Sequence, residues 1–272
     1  MKIEGPLLLV GCGKMGGALL DGWLEQGLPA GQVTIVEPAA EIVERFVRAG
    51  ATRLADGSEL PQDFSPAVVL LAVKPQYMDA ALKPLPGLAR PGTLFLSIAA
   101  GRTLASFRER LGSSMQMVRA MPNTPAAVGR GMSVLVAGAE ATPEQRGLAE
   151  RLLAAVGETA WVEDERLLDV VTAVSGGGPA YVFLLAEVLA EAGRANGLPA
   201  ELAARLARVT VAGSGELLHR ASESPAELRR NVTSPAGTTL EALKVLMAED
   251  ALQPLMTRAI AAATRRSREL SG

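Results

Sequence analysis

The sequence predicts an α/β protein in two parts, a doubly wound parallel sheet followed by an all-helical domain. Three observations carry this expectation. Up to about residue 163, short and wholly apolar runs alternate with helical patterns. The first run passes directly into a glycine-rich turn, Gly11-Cys12-Gly13-Lys14-Met15-Gly16. After residue 164 the strand signal stops and an Ala- and Leu-rich helical pattern takes over.

Taken in order, strands are expected at 7–11, 33–36, 67–73, 93–98, 115–119 and 131–136, with a last short one at 158–162. Helices are expected between them at 16–26, 39–49, 76–82, 103–111 and 143–155. Strands that are apolar throughout belong to a sheet covered on both faces, and helices between them imply parallel order. In the second part, helices are expected near 165–173, 179–195, 199–219, 225–231, 238–248 and 251–269. Pro179, Pro199 and Pro225 each suit a first helical turn, and Asn196-Gly197 suits a helix stop. The domains divide at 1–163 and 164–272.

Composition narrows the function. The chain has 272 residues, enough for one large domain or two modest ones. It is 49% hydrophobic but only 3% aromatic, so aliphatic side chains must build the core. A net charge of -2 with both signs interspersed gives no nucleic-acid footprint. Cys12 is the single cysteine, which leaves no disulfide framework or Cys-based zinc site and points to a reducing cytoplasm. Leu9-Val10-Gly11-Cys12 looks like a lipoprotein cleavage box, but Pro6–Val10 falls short of an apolar h-region of about 7–15 residues. No apolar run approaches the roughly 18 residues of a membrane span, so no membrane partner is expected. No His/Cys/Asp cluster has metal-ligand spacing, so no metal is expected either.

The glycine turn carries the clearest chemistry. A strand, G-x-G-x-x-G and a helix, in that order, form a Rossmann-type dinucleotide fingerprint. Gly11 permits the tight turn, Gly13 lets backbone approach a pyrophosphate, and Gly16 lets helix pack on strand. The phosphates then meet the free N–H groups and positive end of the helix, beside Lys14 and Met15. The second strand ends in Glu37, placed to take the adenosine ribose hydroxyls. No Lys or Arg follows Glu37 before Arg45, so a 2′-phosphate would meet carboxylate without a neighbouring cation. NADH is therefore expected over NADPH.

Other candidates sit where strands end. Val73-Lys74-Pro75 closes the 67–73 strand, and ligands of open α/β sheets bind beyond such carboxyl ends. The alternative is a solvated Lys ahead of a helix-starting Pro. Ala99 lies in a small-residue strand end, Ser97-Ile-Ala-Ala-Gly101. Pro122, Asn123 and Thr124 form a stiff polar loop able to hold a nicotinamide, or a plain structural turn. In the helical part, Ser175-Gly176-Gly177 and Ser234 to Thr239 lead into helices. Hydroxyls and bare N–H groups there can bind a carboxylate, or simply cap the helices.

The residues that are missing also inform. His219, the only histidine, falls at a helix end without a triad, and no Gly-x-Ser-x-Gly elbow is present. The hydroxyl-rich loops contain no Lys or His. Oxidising an alcohol needs a base, whereas a protonated C=N already carries the charge that accepts hydride. Positioning can then suffice, which favours imine reduction.

Together the segments GCGKMG, AVKPQ, SIAAG, RAMPNTP, SGGGPAY and TSPAGTTLEAL, in that order, resemble the pyrroline-5-carboxylate reductase family. Ala236 stands where many members have glycine, and Glu37 stands where many NADPH users lack an acid. The resemblance implies hydride transfer from NAD(P)H to the C=N carbon of L-1-pyrroline-5-carboxylate, giving L-proline. It implies that Thr239 hydrogen-bonds the imine nitrogen. Ser175, Gly176 and Gly177, with Ser234, Gly237 and Thr238, would hold the substrate carboxylate. Pro122, Asn123 and Thr124 would line the nicotinamide. It also implies homodimers formed through the helical domain, often assembled into decamers. A hydroxyacid dehydrogenase of similar plan would carry a Lys in the helix after the second glycine loop, and the stretch from Gly178 to Asn196 has none. A non-catalytic NAD(P)-binding paralogue is opposed by the intact Thr239.

Overall fold

The computed structural model describes residues 1–271; Gly272, the last residue of the expected second domain, lies outside them. β1 (Leu7–Val10) leads through the glycine turn to α1 (Lys14–Glu25). There follow β2 (Val33–Val36), α2 (Ala40–Arg48), β3 (Thr52–Leu54), β4 (Val68–Leu71) and a short α3 (Met78–Leu82). β5 (Leu94–Ser97), α4 (Leu104–Leu111), β6 (Gln116–Met121), β7 (Gly131–Ala137), α5 (Pro143–Ala154) and β8 (Gly157–Trp161) complete the sheet region. The eight strands lie in the order β3-β2-β1-β4-β5-β6-β7-β8. Leu7 pairs with Val33 on one side and Val68 on the other, so strand order reverses at β1.

The wholly apolar strands have the expected cause. Leu7 and Leu9 join Leu19, Leu20, Trp23 and Leu152 in a core on one face. Leu8 and Val10 join Met78, Phe95 and Phe107 on the other. The Trp23 indole N–H donates to the Leu152 carbonyl at 2.7 Å, fixing α1 against α5.

Two features differ from the expected sheet. β3 was not expected, because Thr-Arg-Leu offers no apolar run; it pairs with β2 at the sheet edge. β7 runs antiparallel to β6, with Val118 opposite Ala137. Only a 3₁₀ turn, Thr124–Val128, separates these two strands, and a parallel return needs a crossover of about a dozen residues.

The chain folds as two compact units, Met1–Gly176 with Ala263–Gly272, and Gly177–Ala262. The first contains the sheet and α6 (Leu167–Val171). The second contains α7 (Gly178–Ala195), α8 (Ala200–Arg220), α9 (Pro225–Asn231), α10 (Thr238–Leu246) and most of α11 (Leu252–Ser271). Within it, Gly193 brings α7 close to α8, since a Cβ there would stand 3.5 Å from that of Ala203. Ser224 and Glu227 cap α9 reciprocally.

The glycine run after residue 174 does not end a helix as expected. Thr172–Gly176 forms a π turn, and the helical stretch continues from Leu167 to Ala195. This stretch bears on the expectation about membrane-length segments. An 18-residue window within it has a mean hydropathy of 1.4, long and apolar enough to cross a membrane by length and composition, although Thr, Ser, Gly and Glu interrupt any continuous apolar run. Little of it is buried, and Phe183, Leu184, Leu185 and Val188 are exposed.

Candidate active site

A cleft of about 1770 Å³ opens at the carboxyl ends of β1, β2, β4, β5 and β6. This is the switch-point position of open α/β sheets, where the strand order reverses. Its walls include Gly11, Gly13, Lys14, Met15, Glu37, Val73, Lys74, Pro75, Ala99, Pro122, Asn123, Thr124 and Gly176, which the sequence singled out.

The glycine turn fits a dinucleotide pyrophosphate. Gly11 adopts φ +90°, a conformation that excludes most side chains. A Cβ on Gly13 would meet nothing within 4 Å, so the backbone there is bare towards the cleft. α1 starts without a side-chain cap, which leaves its first N–H groups for a ligand. Gly16 does not line the cleft; its Cβ would lie 2.5 Å from the Gly11 carbonyl oxygen, so this glycine lets helix lie against turn.

Glu37 is held by backbone on both oxygens. Cys12 N–H donates to Oε2 at 2.9 Å and Ala39 N–H to Oε1 at 3.2 Å. Cations missing from the local sequence arrive by folding. Arg53, from β3, donates to the carbonyls of Glu37 at 2.9 Å and Pro38 at 2.6 Å. Arg45 lines the cleft, stacks on Phe46 and pairs with Asp21 at 2.6 Å. The premise that no cation stands near Glu37 is therefore corrected. Burial, with the Glu37 carboxylate beside it, pushes the Cys12 thiol up to about 12, so it stays neutral and unreactive.

At the opposite side, Asn123 bridges two elements. Its Oδ1 accepts from Met132 N–H at 2.8 Å and its Nδ2 donates to Ser175 Oγ at 3.1 Å. The π turn thus presents Ser175 to Asn123 and brings Gly176 to the wall. A Cβ on Gly176 would lie 2.5 Å from Met121 Cε.

Gly177, Ser234, Gly237, Thr238 and Thr239 belong to the second unit. Gly237 is the N-cap of α10, and Thr238 and Thr239 are its first residues. Ser234 Oγ sits only 2.3 Å from where a Gly237 Cβ would be, so a side chain there would displace this hydroxyl. Ala236 has φ +57°, the one non-glycine left-handed residue among those described. Sequence reasoning missed Arg53 as a neighbour of the site, because a short edge strand of mixed residues carries no local mark, and did not single out Cys12 and Met121 within the segments GCGKMG and RAMPNTP.

Residues 7–101 match the family model described as NADP oxidoreductase, coenzyme F420-dependent, and residues 165–270 match that for pyrroline-5-carboxylate reductase dimerisation. Fold, cleft and these matches define a dinucleotide-dependent oxidoreductase with a Rossmann-type unit, a helical unit and an oligomerising region. The pyrroline-5-carboxylate reductase of Pseudomonas aeruginosa is 41% identical over 97% of this chain and 96% of its own length. The solved structure of a pyrroline-5-carboxylate reductase from Coxiella burnetii superposes with a TM-score of 0.91 at 33% identity, covering 98% of this chain and 99% of that one. That of the Plasmodium falciparum pyrroline carboxylate reductase, with NADP bound, gives 0.82 at 26% identity and covers 99% of each chain. This chain belongs to the pyrroline-5-carboxylate reductase family.

Proposed function

We propose that this chain reduces the C=N bond of L-1-pyrroline-5-carboxylate to L-proline with NAD(P)H, the last step of proline biosynthesis. The observation that carries the proposal is the 41% identity to a pyrroline-5-carboxylate reductase across 97% of the chain. The glycine cradle at the switch point supports it, because a dinucleotide pyrophosphate fits there.

NAD(P)H, when bound, supplies the hydride. The chain supplies binding, orientation and a hydrogen-bond donor. Backbone N–H groups from Gly13 to Gly16 hold the pyrophosphate, with Lys14 and Met15 beside it. Glu37 takes the adenosine ribose hydroxyls and favours NADH. Val73, Lys74, Pro75 and Ala99 line the path to the nicotinamide, which rests on Pro122, Asn123 and Thr124. Ser175, Gly176, Gly177, Ser234, Gly237 and Thr238 hold the substrate carboxylate through hydroxyls and backbone N–H. Thr239 hydrogen-bonds the ring nitrogen, orienting the C=N and assisting as it becomes an amine.

In this reading residues 1–163 serve the cofactor, and 164–272 serve substrate and association. The protein works in the cytoplasm as a homodimer formed through the helical part, with decamers as the larger assembly.

The direct test mixes the protein with pyrroline-5-carboxylate and follows NADH and NADPH oxidation at 340 nm. No turnover with either cofactor would refute the proposal. Thr239→Ala should then lower kcat/KM by about 30- to 150-fold, the loss of roughly 2–3 kcal/mol of transition-state stabilisation, with near-normal NADH binding. A lower melting temperature with unchanged kcat/KM would leave Thr239 a helix cap.

A further inference from the structure

We propose that Arg119 and Glu165 form a positioning pair that sets the nicotinamide end of the cleft. The proposal rests on the cofactor reading given above. Arg119 lies on β6, between Ser97 of β5 and Val136 of β7, and its side chain is only 8% exposed. Its Nη1 pairs with Glu165 Oε1. Its buried Nε has no hydrogen-bond partner. Val134, Val136 and Leu168 form an apolar cluster beside it. Burying a guanidinium there with one donor unmet costs stability, and an apolar side chain would pack without that cost.

What the pair holds explains why it is there. The same Glu165 oxygen accepts the backbone N–H of Leu104, the first residue of α4, at 2.7 Å. The Glu165 carbonyl accepts from Leu168 N–H at 3.0 Å, in the first turn of α6. The Glu165 carboxylate therefore ties β6 to the start of α4, and its backbone carbonyl adds the start of α6. Each leads to a cleft wall. β6 runs on to Met121–Thr124, the chain before α4 is Ala99–Ala100, and α6 runs through the π turn to Gly176. A small cavity of about 80 Å³ lies beside the pair, lined by Arg119, Glu165, Ala99 and Ala100. Packing is incomplete at that void, and the ion pair spans the walls beside it.

The test compares two probes in Glu165→Gln, which keeps an acceptor for Leu104 and removes the charge. ADP-ribose reports only the adenosine and pyrophosphate half; NADH reports the whole cleft. We expect ADP-ribose affinity to stay within about twofold while NADH affinity and kcat each fall about tenfold, since loosened walls misplace the nicotinamide. Equal loss for both probes means general loosening and overturns the proposal, as does no loss for either. Glu165→Asp keeps the charge, shortens the reach by one methylene, and carries the same expectation should the glutamine variant not fold. A parent protein that binds NADH but does not turn over pyrroline-5-carboxylate would count against the proposed substrate, while the ratio of the two probes would still decide the pairing.

Discussion

At the scale of single residues, Glu37 has a structural task, and the proposed function gives it a selective one. Two backbone N–H groups fix its carboxylate beside the glycine turn, where the proposed reading puts the adenosine ribose. Arg45 and Arg53 lie near, yet Arg45 is paired with Asp21 and Arg53 is engaged by carbonyls. A 2′-phosphate would therefore meet the fixed carboxylate before any free cation. NADH is expected to win in kcat/KM, and Glu37→Ser should reduce that preference by about tenfold, or roughly 1.4 kcal/mol. An unchanged ratio in the variant would assign selectivity elsewhere. The glutamate was readable from its spacing after the third glycine; the two arginines were not, because they reach the site from α2 and from an edge strand. Ala236 offers a second test. An L-residue in the left-handed region costs about 1–2 kcal/mol, partly offset because glycine loses more entropy on folding. Ala236→Gly should raise stability by up to about 1 kcal/mol in denaturant unfolding, and a less stable variant would show that the loop's hydrogen bonding matters more.

At the scale of elements, the glycines of the first turn separate binding from folding. Gly13 has φ -65° and open space where a Cβ would go. Gly13→Ala should melt within about 2 °C of the parent yet bind NADH at least about tenfold more weakly. Gly16→Ala instead drives a Cβ into the Gly11 carbonyl, and should cost about 1–3 kcal/mol in stability. If both variants lose stability alike, the turn is a packing device and the cradle argument fails. Long elements with clear punctuation were legible: α5, α7, α8 and α9 start or stop where Pro and Gly placed them. β3 was hidden because three mixed residues show no period. The direction of β7 was hidden because it depends on how short the connection before it is, and apolar content says nothing of that. The π turn was hidden because a glycine run reads as a break, whereas here it widens the helix.

At the scale of the whole molecule, α7 leaves many apolar side chains uncovered. Phe183, Leu184, Leu185, Val188 and Leu189 are all exposed, and a helix apolar on most faces is normally buried. This region lies within the matched dimerisation model. Light scattering at micromolar concentration should give a dimer or larger, and Leu184→Glu combined with Val188→Glu should lower the mass. A monomeric parent, or a variant of unchanged mass, would move the interface off this helix. The division into an α/β part and a helical part was legible from where strand signals stop. The return of the chain was not, because α11 shows one unbroken helical pattern.

That return has a consequence for how the protein is made. Ala263–Gly272 belongs to the same compact unit as Met1–Gly176. Within it Thr264 and Ser267 are buried, Ser267 Oγ donates to Asp169 at 2.7 Å, and the Leu270 backbone lies where a Gly101 side chain would be. The helical unit is thus an insertion between two stretches of one domain. On the ribosome, where segments fold as they emerge, the sheet can assemble early, but its wall beside Gly101 and Asp169 stays open until the intervening helices have been synthesised. The Rossmann-type unit is therefore completed by a segment made long after the rest of it.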